Sequence, residues 1–497
     1  MSDDSIASID HAAKSPVSTR SSPYSLLLAA LTIAAIVFYC VPDSMADPDI
    51  WWHLRDAQLQ LSCHCFLSHD LFSFTAAGSS WMNHEWLAEL PFYAGFHLLQ
   101  TTGLYLVTLA AIEIIFLGVL WLAYLASGSI LPASIATIAG VLLSTVSFGP
   151  RTLLFGWVLL VLELLIFALS KRRTALLWAL PFVFLLWVNT HGSWLIGIVL
   201  FTLFVASSWI TFHNGAIDAA PDPPDTRMRL IKVWAVSVLA LFANPYGWHL
   251  VFYPFDLAFR QKLNIANVEE WKSVDFHSPR GRILFVCLAV LFLLQLLRGR
   301  KWTAFELVLL AVGLYSAFTY SRFLFLAAIL VGPLLAVSLA SAPRISRQRL
   351  SPMLRFALIA MILCFIGGRI RTRILTGTKE DSRFPDQSLP FLATFHPQGR
   401  VFNEFLWGGF LVWHKRDTPV FIDSRVDIFE YNGTFKDYLD IVRLKDSLAL
   451  LDRYQIRYVF FERDSPLIYL LKTTHHWKVD YEDNTSSLLE RSEAQIP

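Results

Sequence analysis

The segment Asp47-Pro-Asp-Ile-Trp-Trp-His-Leu-Arg55 brings two carboxylates, an imidazole and a guanidinium together beside two tryptophans, directly after an apolar run. Carboxylates in such a place act as a general base or hold a divalent cation. The competing reading makes Asp47 or Asp49 the N-cap of a helix running from Trp51 to Leu61, with the tryptophans in an interfacial aromatic belt. We read the tryptophans as belt residues and Asp49 as the reactive carboxylate, with Asp47, His53 and Arg55 supporting it. Glu85, in His84-Glu-Trp-Leu-Ala-Glu-Leu-Pro-Phe-Tyr93, is the second acid. It stands just before another apolar run, where it brings a carboxylate and the neighbouring His84 toward Asp49, or else is a solvated helix start favoured by the dipole. Asp70, in Ser68-His-Asp-Leu-Phe-Ser-Phe-Thr75, supports the same group or serves as a turn or cap residue.

The elements that position these residues are membrane spans. Hydrophobic residues make up 55% of 497 and charged residues 16%, and the mean hydropathy is +0.50, which excludes an ordinary soluble enzyme. A net charge of +2 and the lack of a basic stripe with interleaved aromatics argue against nucleic-acid binding. With about 20 apolar residues per span, spans are predicted near 24–42, 104–126, 129–148, 152–169, 174–189, 193–212, 230–245, 282–297, 302–319, 322–341 and 353–368. The first is read as an uncleaved helix after a polar, Ser-rich tail, residues 1–23. Basic clusters at Lys171-Arg172-Arg173, at Arg227, Arg229 and Lys232, at Arg298, Arg300 and Lys301, and at Arg344, Arg347 and Arg349 fall in alternate loops. The positive-inside rule then makes those loops and the N-terminus cytoplasmic and puts the loop 43–103 and everything after about 369 outside. The expected fold is a polytopic α-helical membrane protein of about 11 transmembrane helices (24–368), with a small extracytoplasmic α/β domain at 369–497. Pro419-Val-Phe-Ile422 and Arg457-Tyr-Val-Phe-Phe461 read as strands of that domain, and Tyr431–Leu444 and Ser447–Tyr454 as helices.

An acidic residue just after the first span, a polar loop, and a His84–Tyr93 entry into the second span resemble the first outer loop of the GT-C superfamily of polytopic membrane glycosyltransferases. Asp49-Ile-Trp-Trp-His-Leu-Arg55 is similar to the Asp-x-x-x-x-x-Arg pattern of oligosaccharyltransferase catalytic subunits, and His84–Tyr93 resembles protein mannosyltransferases and aminoarabinose transferases. The architectural likeness covers the whole chain and the motif-level likeness about residues 47 to 95. The Trp-Trp-Asp-Tyr-Gly signature of oligosaccharyltransferases is missing, and Ile50 follows Asp49 where mannosyltransferases carry Asp-Glu, so the resemblance reaches the superfamily and no subfamily. It implies an inverting hexosyl or pentosyl transfer from a polyprenyl-phosphate-linked donor to an extracytoplasmic glycan, lipid or protein, in a bacterial inner membrane. Asp49 would act on the acceptor hydroxyl, while Arg151, Arg322 and His191 would hold the donor phosphate. The plainer roles for these cations are snorkelling arginines and a polar turn in Asn189-Thr-His-Gly-Ser. No cofactor is certain; a divalent cation, Mg or Mn, is an open option with no assigned ligands.

In the C-terminal region Asp423, Arg425 and Asp427 stand at an apparent strand end, where they contact an acceptor or form an ion-paired loop. Cys63-His-Cys65 has poor spacing for a structural zinc site. Glu113, Glu163 and Glu306 fall within predicted spans, and such residues feed the rival readings of a transporter or flippase of lipid-linked substrates, or of a non-catalytic scaffold. Glu269 and Glu270, in a predicted outer loop, are read as a solvated turn.

Overall fold

A helix crossing about 30 Å of hydrocarbon needs roughly 20 apolar residues, and long apolar runs dominate the chain up to residue 340. The computed structural model describes residues 22–42, 47–260, 262–267, 271–341, 351–376, 383–474 and 476–492. The tail up to residue 21, Glu269, Glu270 and the cluster of Arg344, Arg347 and Arg349 lie outside the described residues. The helices of the apolar part are α1 (Pro23–Cys40), α2 (Asp49–Cys63), α3 (Trp86–Ser127), α4 (Ile130–Ser144), α5 (Leu153–Ser170), α6 (Leu180–Val188), α7 (Trp194–Ser207), α8 (Pro224–Ala240), α9 (Trp248–Arg260), α10 (Lys262–Asn267), α11 (Pro279–Arg298), α12 (Ala304–Thr319), α13 (Leu324–Ala340) and α14 (Pro352–Thr376). A hairpin of β1 (Phe212–Asn214) and β2 (Ile217–Ala219) joins α7 to α8.

Every predicted span overlaps a helix, yet among the described residues six stretches are long and apolar enough to cross a membrane: α1, α3, α4, α5, α11 and α13, with their adjoining turns. Thr174–Val188, Trp194–Ser207 and α12 are apolar but shorter. Helix α13 is buried nearly all round, as its uniformly apolar sequence requires, and packs on α3, α4 and α12. Small residues set the spacing there: a Cβ on Gly140 would lie 3.4 Å from the Cβ of Ala328. Helix α3 is broken at Gln100 (φ 54°, ψ −139°). A Cβ on Gly103 would stand 1.8 Å from the Gly95 carbonyl oxygen, so the bend exists because both residues lack side chains. The break separates a first piece, 86–99, from the long apolar stretch that follows it.

The C-terminal part builds a four-stranded sheet in the order β3-β4-β6-β5, from β3 (Arg400–Asn403), β4 (Ile456–Glu462), β5 (Trp477–Glu482) and β6 (Ser486–Arg491). β3 runs parallel to β4, and the other neighbours are antiparallel. Its helices are α15 (Leu389–Thr394), α16 (Gly408–His414), α17 (Val426–Tyr431), α18 (Thr434–Val442), α19 (Ser447–Arg453) and α20 (Pro466–Thr473). Pro419–Ile422, expected as a strand of this sheet, is not one. Its backbone is taken by the loop between α2 and α3 instead: the Val420 N–H donates to Phe72 O at 3.0 Å and the Phe74 N–H to Val420 O at 3.1 Å.

That pairing is part of a joint between the first loop and the C-terminal unit, whose centre is Arg425. Its guanidinium donates from Nη2 to Asp70 Oδ1 and Asp423 Oδ2, both at 2.6 Å, and from Nε to Asp423 Oδ1 at 2.8 Å. The rings of Phe72 and Trp81 lie 4.8 and 4.7 Å from it. Asp70 also accepts the Ser73 hydroxyl and the Phe72 and Ser73 N–H groups, holding the loop in a tight turn. The Gly408-Gly409 pair explains itself here: a Cβ on Gly408 would meet Ile422 O at 2.2 Å, and one on Gly409 would meet Pro48 O at 2.7 Å. The tryptophans of the first motif are likewise in the joint and not in a lipid-facing belt. Trp52 is buried, and Trp51 packs edge-on against Phe96, Phe384 and Phe410.

Arg425→Gln would leave two buried carboxylates without their cation, and we expect it to cost about 3–5 kcal/mol. Thermal unfolding in detergent and proteolysis of the loop 68–81 read this out; a variant that melts with the wild type contradicts it.

Candidate functional site

The first turn of α2 carries the acidic end of the motif. Pro48, not an aspartate, takes the N-cap position, and Asp47 reaches past it to accept the Asp49 N–H at 3.1 Å. Arg151 Nε holds the other Asp47 oxygen at 2.6 Å, so this arginine braces the helix start. Asp49, His53 and Asp56 follow at i, i+4 and i+7, one face of the helix. Arg55 falls on a different face, bonded to Gln58 Oε1 at 2.7 Å, and does not join Asp49.

Asp49 is half-buried. The Trp52 indole N–H points at its Oδ1 at 3.4 Å and at Ser424 Oγ at 3.1 Å, and the Ser424 hydroxyl bonds to Asp49 in turn. Burial, reinforced by the Asp47 charge, pushes the Asp49 carboxyl up to about 6, with His53, Ser424 and Arg151 opposing.

Glu85 sits at the other electrostatic extreme. His191 Nε2 lies 3.1 Å from its Oε1, His84 Nε2 3.6 Å from the same oxygen and His53 Nε2 3.5 Å from Oε2. Burial works against its charge, but His84, His191 and His53 outweigh it and hold the carboxyl well below the usual carboxylate range. His191 occupies the turn between α6 and α7, where its Nδ1 accepts the Ser193 N–H at 2.9 Å. That bond leaves Nε2 as the protonated nitrogen facing Glu85. Burial depresses the His191 pKa and Glu85 opposes it, while the charges of His84 and Arg322 depress it further. Arg322, in the turn before α13, stacks over Trp271 at 4.5 Å.

Behind this group Asn83 donates to Asp56 and, at 2.8 Å, to Glu89, which accepts His53 Nδ1 at 2.8 Å on its other oxygen. Burial, with the Glu89 carboxylate beside it, drives Asp56 well up. From α9, Tyr253 packs on His84 at 4.8 Å and donates to Asp427 Oδ2 at 2.8 Å. Burial raises Asp427, and the Tyr253 bond partly offsets this.

The structure thus brings together Asp47, Asp49, His53, His84, Glu85, Arg151 and His191, with Arg322 near His191 and Asp427 beside Tyr253. Asp70, Asp423 and Arg425 are elsewhere: buried and engaged with one another, they form the joint and present no surface to an acceptor. Sequence reasoning missed Trp52 and Ser424 as partners of Asp49, together with Asp56, Asn83, Glu89 and Tyr253. Two of these had a signal, since Asp56 continues the face of Asp49 and His53, and Glu89 lies one turn after Glu85. Glu306 belongs to a capping box with Thr303 and pairs with Arg300, so it marks a helix start and no polar point inside a span. Cys63 and Cys65 are joined in a disulfide. Among the described residues no three His, Cys, Asp or Glu side chains converge as metal ligands, and Arg151 already holds one Asp47 oxygen; no step is derived through a divalent cation.

No protein-family model and no curated protein matches the chain. Solved structures do share its fold. The apo oligosaccharyltransferase of Archaeoglobus fulgidus matches with a TM-score of 0.55 at 12% identity, over 95% of this chain and 74% of that one. AglB from the same organism, in complex with an inhibitory peptide and a dolichol-phosphate, gives 0.52 at 11%, over 95% and 74%. ArnT from Cupriavidus metallidurans in the apo state gives 0.54 at 13%, over 94% and 97%. At these identities the likeness is one of fold.

If Ser424 bonds Asp49 as described, the Asp49 carboxyl titrates near pH 6, and Ser424→Ala moves that midpoint upward by removing a bond to the charged form. Infrared titration of the protonated carboxyl band, with Asp49→Asn subtracted, checks it; an unmoved midpoint refutes the bond.

Proposed function

We propose that this chain, an integral membrane protein with the GT-C fold, is an inverting glycosyltransferase that moves a sugar from a polyprenyl-phosphate-linked donor to an extracytoplasmic acceptor. The observation that carries the reading is the pairing of Asp49, a half-buried carboxylate pushed up to about 6 by burial, with His53, one helix turn away on the same face, whose ring also faces the Glu85 carboxylate held by His84 and His191. In the proposed reaction the acceptor hydroxyl gives its proton to Asp49, and its oxygen bonds the anomeric carbon from the face opposite the phosphate. The bond from that carbon to the phosphate oxygen breaks, and the polyprenyl phosphate leaves with the electron pair. A base with a pKa near the working pH suits this proton transfer. His84 and His191, with Arg322 behind them, meet the charge on the leaving phosphate. Glu85 holds the rings of His191, His84 and His53 in place by facing their Nε2 atoms. The acceptor is a glycan, lipid or protein.

The proposed topology has eleven spans with the N-terminus cytoplasmic, in a bacterial inner membrane. The alternating basic loops support it, and so does the Cys63–Cys65 disulfide, since such bonds persist in oxidising compartments outside the cytoplasm. Solved structures of this fold include one in complex with a dolichol-phosphate, which suits a lipid-phosphate donor. One observation favours a transporter instead: Glu163 in α5 is buried, and among the described residues neither of its carboxylate oxygens has a hydrogen-bond partner, as expected for a proton-carrying residue within a bundle.

The two readings separate in membranes supplied with labelled polyprenyl-phosphate sugars. We expect Asp49→Asn to lower transfer to endogenous acceptors by about 10²–10⁴-fold, Glu163→Gln to leave it unchanged, and wild-type transfer to rise with pH through about 6 as Asp49 loses its proton. Transfer that survives Asp49→Asn but fails in Glu163→Gln overturns the assignment.

A further inference from the structure

Helix α2 has a second charged face, which the transfer reading does not use. Arg55 shares this face with Trp51, one turn earlier. The end of α16 packs against the same face, Trp51 meeting His414 with ring centres 4.9 Å apart. Just beyond α16, Arg416 rides over the Trp413 ring at 4.8 Å and donates from Nε to the Trp413 carbonyl at 3.1 Å. Trp413 in turn packs edge-on against Phe96 at 5.4 Å. Two guanidiniums are therefore held at one seam, and among the described residues neither has a carboxylate partner. Gln58 and the Trp413 carbonyl are their hydrogen-bond acceptors. The Arg416 charge and partial burial both lower the Arg55 pKa, burial being the larger cause, and no acid opposes them.

Like charges placed together without an acid are destabilising unless an anion comes to them. The position of the seam says which anion. Phe96 belongs to the last turn of the first piece of α3, immediately before the break at Gln100 and the long apolar stretch that follows. Leu98 and Leu99 in that turn are 76% and 54% exposed, so apolar surface continues from the arginines down toward the span. Indole and guanidinium side by side at a membrane boundary suit a phosphate headgroup.

We propose that Arg55 and Arg416 together hold the phosphate of an anionic phospholipid from the surrounding leaflet, its acyl chains lying along Leu98 and Leu99. The lipid seats the C-terminal unit against the membrane by bridging α2 and the end of α16. This site is separate from the Asp49 group and does not depend on the transferase reading.

The test uses the full chain purified from membranes and exchanged into mixed micelles of phosphatidylglycerol and phosphatidylcholine, with retained lipids counted by native mass spectrometry. Wild type is expected to retain phosphatidylglycerol over phosphatidylcholine by about tenfold, the order given by two cations at an anionic surface. Arg55→Gln with Arg416→Gln is expected to lose the preference while melting at the wild-type temperature in phosphatidylcholine alone. Arg55→Lys with Arg416→Lys should keep most of it, which separates charge from fold damage. Equal selectivity in wild type and the Gln double variant overturns the proposal. So does preferential retention of undecaprenyl phosphate at equal mole fraction, which would give the site to the donor. Displacement of the lipid by inorganic phosphate at millimolar concentration would make it a free-anion site and overturn the lipid assignment too.

Discussion

A guanidinium buried away from water has to be met by carboxylates at hydrogen-bond distance or it unfolds its surroundings, and Arg425 is met by two. Because one of them, Asp70, belongs to the loop between α2 and α3 and the other, Asp423, to the C-terminal unit, satisfying the charge ties Arg425 to a residue 355 positions away. The consequences spread along the segment 423–427. Ser424, beside Arg425, arrives at Trp52 and Asp49, and Asp427, two residues on, arrives at Tyr253. Among the described residues Arg425 Nη1 finds no acceptor of its own, so the joint is not a perfect one. Its retention makes sense as a constraint of position more than as a source of stability.

Given that frame, two carboxylates a short distance apart are driven in opposite directions. Asp49 has burial and Asp47 against its charge, and only weak opposing partners, so it trades a proton near neutrality. Glu85 is buried too, yet three imidazoles keep it an anion. Environments that split two like groups in this way are how one site comes to hold both a proton acceptor and a fixed charge. The division follows from helix geometry: His53 stands one turn from Asp49 on α2 and faces Glu85 and Glu89 at the start of α3, so a single imidazole separates the two carboxylates.

Much of this was legible from local pattern. The apolar helices could be placed from hydropathy because lipid demands long apolar runs, and Asp49, His53 and Glu85 could be singled out as candidates because polar residues at the end of such a run are exceptional. What was illegible depended on distance along the chain. Nothing near Ser424 says that it meets Trp52, and nothing near Tyr253 says that it meets Asp427. The strand expected at Pro419–Ile422 failed for the same reason: its apolar alternation is real, but the partner is the loop at Phe72 and Phe74, not the sheet. Trp51 and Trp52 were misplaced because an indole at a membrane boundary and an indole in a domain joint look alike in sequence; only the packing of Phe410 and Ser424 against them separates the cases.

Helix α2 is short and, by its mixed composition, would be marginal alone. Each of its faces is nonetheless committed. One carries Asp49, His53 and Asp56 into the network with Glu85 and Glu89; another carries Trp51 and Arg55 against α16; its start is braced by Arg151 and approached within contact by Gly409. A rotation of the helix that relieved one face would pull side chains out of the others, so the orientation of Asp49 is over-determined by contacts with three different parts of the chain. A carboxylate that must meet a reacting hydroxyl gains from such rigidity. The short α2 therefore links the start of α3, the C-terminal unit and the Asp49 carboxylate through side chains on separate faces of one helix.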